Sequence, residues 1–317
     1  EKMILFQRSG HEVKLNAPLE VSWDEVVERS SALSLYCYSW YLDAVSDNWG
    51  ALVMGDYEFI MPIPYTVKKS QSILYQPFFS QQLNVLGKEL PSAEVINQFI
   101  SSVPQIFKLA QFHFPNYLIQ NITDYEIEEV VCQYLDLNQD YEAVSSEYST
   151  NAKRQIKKAI KNELKVTETG DLEFFMSLFK ETVGVKLGFL EDNYSRLNRL
   201  MNVGLSLNKG RLLTVQKGDE VLAMGYFFIQ NNRITYLKGA STIQGRDTGA
   251  MYYLMDAVIK EYAAANRIFD FGGSKIASVA EFYKKLGGVD QTYLSFAKND
   301  LSWLLKKAKG IRDRFKK

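Results

Sequence analysis

The chain is poor in the residues that staple or metallate a fold. Its 317 residues include two cysteines, Cys37 and Cys132, and two histidines. Two cysteines cannot make a disulfide framework, so a reducing compartment fits best and the cytoplasm is the expected location. The two histidines and two cysteines lack ligand spacing, which argues against a metal site. No G-x-S-x-G is present and neither histidine has the context of a catalytic triad. Asp270-Phe271-Gly272 spells a kinase-like triplet, but no glycine-rich loop, strand lysine or His-Arg-Asp loop accompanies it. No apolar run approaches the roughly 18 residues needed to cross a bilayer. The opening Glu1-Lys2-Met3-Ile4 has no basic segment, long apolar core or small-residue cleavage site, so a secretory signal is not expected.

What is there reads as globular. Hydrophobic residues make up 46% and aromatics 13%, and the length suits two domains that each bury a core. The zero net charge conceals an asymmetry. Residues 1–150 carry 8 Lys/Arg against 20 Asp/Glu, and residues 151–317 carry 29 against 17. Two solvated surfaces of opposite sign are one reading. The other is that the second half handles a polyanion such as CoA, a nucleotide or tRNA. The break at Glu147-Tyr148-Ser149-Thr150 divides the chain into expected domains 1–150 and 151–317.

Periodicity sketches the elements. In the first half the spacing predicts a helix from Ser22 to Ser34, with Glu25 at capping-box distance from Ser22, and another near Ser39 to Val45. Strands follow at Ala51 to Met54 and Tyr57 to Pro64, split by the turn signal Gly55-Asp56. Helix 92–111 and strand Tyr117 to Ile122 complete that half, and His113, between Phe112 and Phe114, reads as structural. In the second half, helix 151–161 buries Ala152, Ile156, Ala159 and Ile160 and is otherwise basic. A helix from Asp171 to Val183 has Asp171 as its cap. A meander runs through Arg211 to Gln216, Val221 to Ile229 and Ile234 to Ala240, with turns at Lys217 to Glu220 and Asn231-Asn232. Gly249 opens a helix with a stripe of Met251, Leu254, Met255, Val258, Ile259 and Tyr262. Strand Arg267 to Phe271, helix Val279 to Leu286 and strand Thr292 to Phe296 close the unit.

This order resembles the GNAT acyltransferase fold, and Ala280-Glu281-Phe282-Tyr283-Lys284-Lys285-Leu286-Gly287 looks like that family's A-x-x-[FL]-Y-x-K-x-G segment. Three further segments resemble the tandem-GNAT, Fem-type and BioF2-like transferases: Trp40-Tyr41-Leu42 with the strand to Met61-Pro62-Ile63-Pro64, Asn151 to Ala159, and Phe269 to Ser274. Residues 184–210 are too few for the long helical arm of some Fem proteins. The resemblance implies an α/β (α+β) fold of two GNAT-like domains, each a mixed, mainly antiparallel sheet flanked by helices, the first degenerate. A V-shaped gap between the fourth and fifth strands would admit the acyl donor.

Acyl transfer needs a phosphate cradle, an oxyanion donor and a proton path. The resemblance places the cradle at Gln244, Gly245, Arg246, Thr248, Gly249 and Ala250, where backbone N–H groups between a strand and a helix would meet a pyrophosphate. Asp247 departs from the family pattern by occupying a glycine position, and the alternative is a plain strand–helix turn. Tyr283 matches the family's general acid toward a leaving thiolate, and its alternative is packing. Asp270 and Ser274 end a strand facing the gap as catalytic candidates, although Asp270 also suits a cap or a salt bridge to Lys238. Lys238, Arg154 and Lys157 are the expected substrate-binding cations. The C-terminal segment Asp300 to Lys317 carries 7 Lys/Arg against 2 acids at amphipathic helical spacing. It suits a helix docked on its own domain, or contact with tRNA or an anionic membrane surface.

The leading expectation is acyl transfer from an acyl-CoA such as acetyl-CoA, without a metal, to a small-molecule or peptide-like amine. The Fem resemblance implies a second, aminoacyl-tRNA-dependent transfer to a cell-wall precursor. A third is a catalytically silent binding module. No DNA partner is expected.

Overall fold

The computed structural model describes residues 3–7, 23–30, 32, 35–116, 122–230, 232–273 and 276–300. The expected cap at Ser22, most of the strand at 117–122, Asn231, Ser274 and the basic segment beyond Asp300 lie outside the described residues. In chain order the elements begin with β1 (Met3–Gln7), α1 (Trp23–Arg29), α2 (Ser39–Val45), β2 (Asn48–Met54), β3 (Phe59–Lys68), β4 (Gln71–Leu74), β5 (Leu86–Gly87), α3 (Ala93–Ser101) and β6 (Leu109–Pro115). Then come β7 (Glu126–Asp136), α4 (Tyr141–Ser146), α5 (Thr150–Lys161), β8 (Lys165–Glu168), α6 (Leu172–Phe179) and α7 (Glu191–Ser206). The last are β9 (Gly210–Lys217), β10 (Glu220–Ile229), β11 (Arg233–Ser241), α8 (Ile243–Thr248), α9 (Ala250–Tyr262), β12 (Ile268–Asp270), α10 (Ala277–Lys285) and β13 (Val289–Asn299).

Two compact units result, one of residues 1–130 with 293–317 and one of residues 131–292. The sequence places the division at 150 instead, because the charge balance changes there while the backbone has already entered the second unit through β7. The closing strand also differs from expectation. From Tyr293 onward β13 pairs antiparallel with β6 in the first unit. In the second unit the strand beside β12 is β7.

The first unit has strand order β1-β2-β3-β4-β6-β13. Its central hairpin turns through Gly55, whose φ of 57° costs glycine nothing, and pairs Met54 with Phe59. The helix at α1 ends at Arg29 and does not reach residue 34. Ser30 Oγ accepts from Ala32 N at 3.2 Å, a local bond that competes with the helical ladder. The helix expected over 92–111 stops at Ser101. Pro104 lacks an N–H and pushes Val103 out of helical geometry, and β6 then alternates buried Ala110, Phe112 and Phe114 with exposed Gln111. Phe112 stacks on Phe296 at 5.2 Å, at the heart of this unit's core.

The second unit has strand order β7-β12-β11-β10-β9-β8. Helix α5 starts where Ser149 Oγ accepts from Ala152 N at 3.1 Å. It buries Ala152, Ile156 and Ala159 but leaves Ile160 58% exposed, so the buried stripe is narrower than its apolar pattern. Asp171 caps α6 by accepting from Phe174 N at 2.9 Å. The α-helical part ends at Phe179, and Lys180–Gly184 widen into a π turn. There Thr182 Oγ1 donates to Leu178 O at 2.6 Å, a side-chain intrusion of the kind that bends helices. The meander β9–β10–β11 lies close to its expected bounds, and α9 buries Leu254, Met255, Val258 and Ile259 against it.

Candidate functional site

Strand β12 runs parallel to β11 for three residue pairs only, Arg233 with Ile268, Ile234 with Phe269 and Thr235 with Asp270. Beyond Thr235, β11 continues to Ser241 while the chain leaves β12 through Gly272 and Gly273. Both glycines are left-handed, with φ of 77° and 66°, a conformation that side-chain-bearing residues rarely adopt. The strands therefore splay. A cavity of about 620 Å³ occupies the opening, walled by β11, the π turn after α6, α8, α9 and α10. The described residues that line it are mostly apolar or aromatic, among them Phe179, Met251, Val279 and Phe282. Its cations are Lys186, Lys238 and Arg246, and no Asp, Glu, His or Cys is among them.

A bulge shapes the β11 wall. Tyr236 pairs with Phe227 and Lys238 with Tyr226, so Leu237 is the extra residue. An extra residue shifts the pleat, and bulges commonly re-aim side chains beside sites. Tyr236 keeps the face of Phe227, whose ring it meets at 5.4 Å, whereas Lys238 takes the face of Tyr226. Both line the cavity. Burial pushes the Lys238 ammonium's pKa down.

Tyr283 is 6% exposed and also lines the cavity. Its ring stacks on Phe271 at 4.9 Å and meets Tyr236 edge-on at 6.2 Å. Burial, with smaller contributions from Tyr236 and Asp270, pushes its pKa well above the usual phenol value. Burial thus favours the protonated phenol.

Asp270 has no exposure and does not line the cavity. Its carboxylate pairs with Arg233, at 2.8 Å, and not with Lys238. It also accepts from Gly272 N at 2.8 Å. Burial raises its pKa against the opposing pull of these partners. Geometrically it ties the glycine turn to the sheet.

The segment expected as an open turn is the helix α8, and three of its amides are already used. Gly245 N donates to Thr242 Oγ1 at 2.9 Å, Arg246 N to Thr242 O at 3.1 Å, and Gly249 N to Arg246 O at 3.4 Å. Gly249 closes α8 with φ of 77°, and a Cβ there would sit 2.5 Å from Gln155 O of α5. A Cβ on Gly245 would lie 2.0 Å from Leu222 O. Close backbone packing therefore requires both glycines. Of the expected cradle, the amides of Gly245, Arg246 and Gly249 are therefore engaged within the protein.

Of the sequence candidates, Gly245, Arg246, Gly249, Lys238 and Tyr283 meet at this cavity. Gln244 instead donates to Glu220 at 3.0 Å, and Thr248 donates to Gln244 O at 2.8 Å. Ala250 is buried in the core. Arg154 and Lys157 are exposed on α5, and Arg154 bonds Asn151 at 2.8 Å. Neither lines the cavity. Sequence reasoning missed Tyr236 and the π-turn wall, since nothing local distinguishes this tyrosine from the chain's 18 others. Among the described residues no group of three metal-ligating side chains exists. No helix of theirs is long and apolar enough to cross a membrane.

Comparison with known proteins agrees with this geometry. Residues 146–285 match the family model "Acetyltransferase (GNAT) domain". A search of the curated proteins found no match. Among solved structures, FemX is similar at 14% identity with a TM-score of 0.65, over 92% of this chain and 98% of that one. L-PGS from Bacillus licheniformis is similar at 11% identity and a TM-score of 0.52, over 81% and 86%. The C-terminal domain of a protein described as a lysylphosphatidylglycerol synthetase from Agrobacterium fabrum is similar at 10% identity and a TM-score of 0.51, over 88% and 93%. Residues 146–285 are thus similar to a GNAT-type acetyltransferase domain, within a chain whose fold is similar to those of FemX and L-PGS.

Proposed function

We propose that the cavity of the second unit transfers an acyl group from a phosphate-bearing carrier, of which acyl-CoA is the leading case, to an amine. The observation that carries this is the splay of β11 from β12 with Tyr283 in its wall. The acceptor nitrogen attacks the acyl carbon, forming an N–C bond. The bond from that carbon to the carrier atom then breaks, and Tyr283 donates a hydrogen bond or proton to the departing atom. Arg246 and Lys186 are cavity cations placed to meet carrier phosphates, since the Gly245, Arg246 and Gly249 amides are engaged. The absence of a carboxylate from the described lining favours an acyl group without a free ammonium, which would otherwise be buried without a counter-charge. The proposed setting is a reducing one, on two buried cysteines that form no disulfide with each other.

A second reading is aminoacyl transfer from tRNA. The Fem resemblance and the description of the Agrobacterium protein as a lysylphosphatidylglycerol synthetase favour it. So does the exposed basic face of α5, which carries Lys153, Arg154, Lys157, Lys158 and Lys161.

The deciding experiment incubates wild type and Tyr283→Phe with acetyl-CoA, longer acyl-CoAs and charged tRNA against a panel of amines. Under the leading reading, an acyl-CoA is consumed and the Phe variant turns over roughly 10²–10⁴-fold more slowly at an unchanged melting temperature. Replacing Lys157, Lys158 and Lys161 with Gln leaves that rate intact. Transfer only from tRNA overturns the leading reading in favour of the second. In that case, the triple variant flattens the log–log salt dependence of binding by about 0.7–0.9 per lost phosphate contact. No transfer from any donor rejects both.

A further inference from the structure

Amide formation leaves a proton that must go somewhere. After attack the acceptor nitrogen is cationic, and it must shed a proton before the tetrahedral intermediate can collapse to an amide. Carboxylates, imidazoles and thiolates usually take that proton, and none is among the described residues lining this cavity. Asp270, buried on β12, is engaged with Arg233 and the Gly272 amide.

The titratable and cationic groups facing the cavity come from every element around it. They are Lys186 after the π turn, Tyr236 and Lys238 on β11, Arg246 on α8, Tyr252 on α9 and Tyr283 on α10. Arg246 does not deprotonate in proteins. The three tyrosines have pKa values pushed up, by burial first, so they enter the reaction as donors. Lys186 is exposed to solvent. Lys238 is different. It is partly buried within the β11 wall, and the Leu237 bulge places it off the core face shared by Tyr236 and Phe227.

Resting on the acyl-transfer reading above, we propose that Lys238, as the neutral amine, accepts the proton from the attacking acceptor amine. Burial lowers the pKa of the lysine and raises that of Tyr283, and the cycle closes in the favourable direction. Nζ of Lys238 gains a proton as the amide forms, and Tyr283 gives its own to the departing carrier atom. One proton then passes from the Lys238 ammonium to the Tyr283 phenolate, restoring both. No further reactant is needed.

Two measurements test this. The first requires no turnover: wild-type protein is pulsed with trace acetic anhydride across pH 6–11, and lysine peptides are quantified by mass spectrometry. The midpoint of each labelling curve reports protonation independently of access. For Lys238 it is expected below that of the same residue in the urea-unfolded protein, and coincident midpoints overturn the proposal. The second compares Lys238→Met and Lys238→Arg on the donor and amine that wild type uses. Arginine keeps the charge and length but cannot lose its proton. Both variants are expected to fall at least about 100-fold in turnover at a melting temperature close to wild type. Near wild-type turnover in Lys238→Arg overturns the base assignment, because an electrostatic or packing role survives that change. Absence of transfer by wild type rejects the acyl-transfer reading instead, and with it a catalytic role for Lys238, whatever the labelling shows.

Discussion

The two units solve the same geometric problem in opposite ways. Each has antiparallel strands followed by one short parallel pair, β4 with β6 over two residues and β11 with β12 over three. In the first unit the chain that follows β4 folds back over β6. Leu83 N donates to His113 O at 2.8 Å, Gln76 Oε1 accepts from His113 N at 2.9 Å, and His113 Nδ1 lies 3.0 Å from Gln81 O. Ser80, Gln81, Leu83, Asn84 and Val85 are buried in the process. In the second unit the corresponding opening stays a cavity. A splayed parallel pair is thus a vacancy that a chain either fills with its own backbone or leaves for a ligand. Which it does depends on the connection after the fourth strand: a polar, extended segment in the first unit and a helix, α8, in the second.

Breaking the wall of the open unit should have the largest effect. Arg233→Met leaves the fully buried Asp270 carboxylate without its cation, and is expected to cost about 3–5 kcal/mol. The pH dependence has a definite sign. A carboxyl whose folded pKa lies above its unfolded value stabilises the fold most when protonated. That contribution is lost as pH rises from the unfolded pKa through the folded one. Asp270 is already raised, and removal of Arg233 raises it further. Urea unfolding should therefore show a larger deficit at pH 8 than at pH 5, and Asp270→Asn in the same background should restore part of it. A deficit independent of pH would mean that Arg233 matters through packing alone.

A smaller effect follows from the joint between α8 and α9. Gly249→Val combines a left-handed backbone with a Cβ near Gln155 O, and should cost about 1–3 kcal/mol, measured by calorimetry. Unchanged stability with lost ligand binding would return Gly249 to a cradle role and narrow the difference between the units' walls.

The smallest expected effect lies in the plug of the first unit. His113→Ala removes the ring's contact with Gln81 O and should cost about 1 kcal/mol, seen as a lowered urea midpoint. Acyl transfer by the second unit should be unaffected. A comparable loss of transfer would show that the filled opening also takes part in the chemistry.

Much of the second unit was legible because its signals are local. The turns at Gly218 and Gly249, the cap at Asp171 and the stripe of α9 are set by residues within one or two turns of one another. The first unit was harder to read. Pro104 ended a helix whose apolar pattern ran on, and β6 lay partly under that false helix. At the candidate site, sequence reasoning named Tyr283 through a motif and Lys238 as a substrate-binding cation, and both line the cavity, but it offered Lys238 as a salt-bridge partner for Asp270, which pairs with Arg233, and it read α8 as an open turn. Thr242 could be seen to favour a helix start only once its hydroxyl was known to accept from Gly245.

By itself the sequence determined the meander and its flanking helices in the second half, the α/β class and the position of the GNAT-like half, since periodicity, capping and turn chemistry act over a few residues. The tertiary structure alone decided where the units divide, which strand closes each sheet, and which opening stays empty. Those outcomes rest on partners far apart in sequence: β13 beside β6, Arg233 beside Asp270, Gln155 against Gly249. No local propensity encodes which of several distant residues will satisfy a buried amide, carboxylate or strand edge. Only assembly of the chain makes that choice.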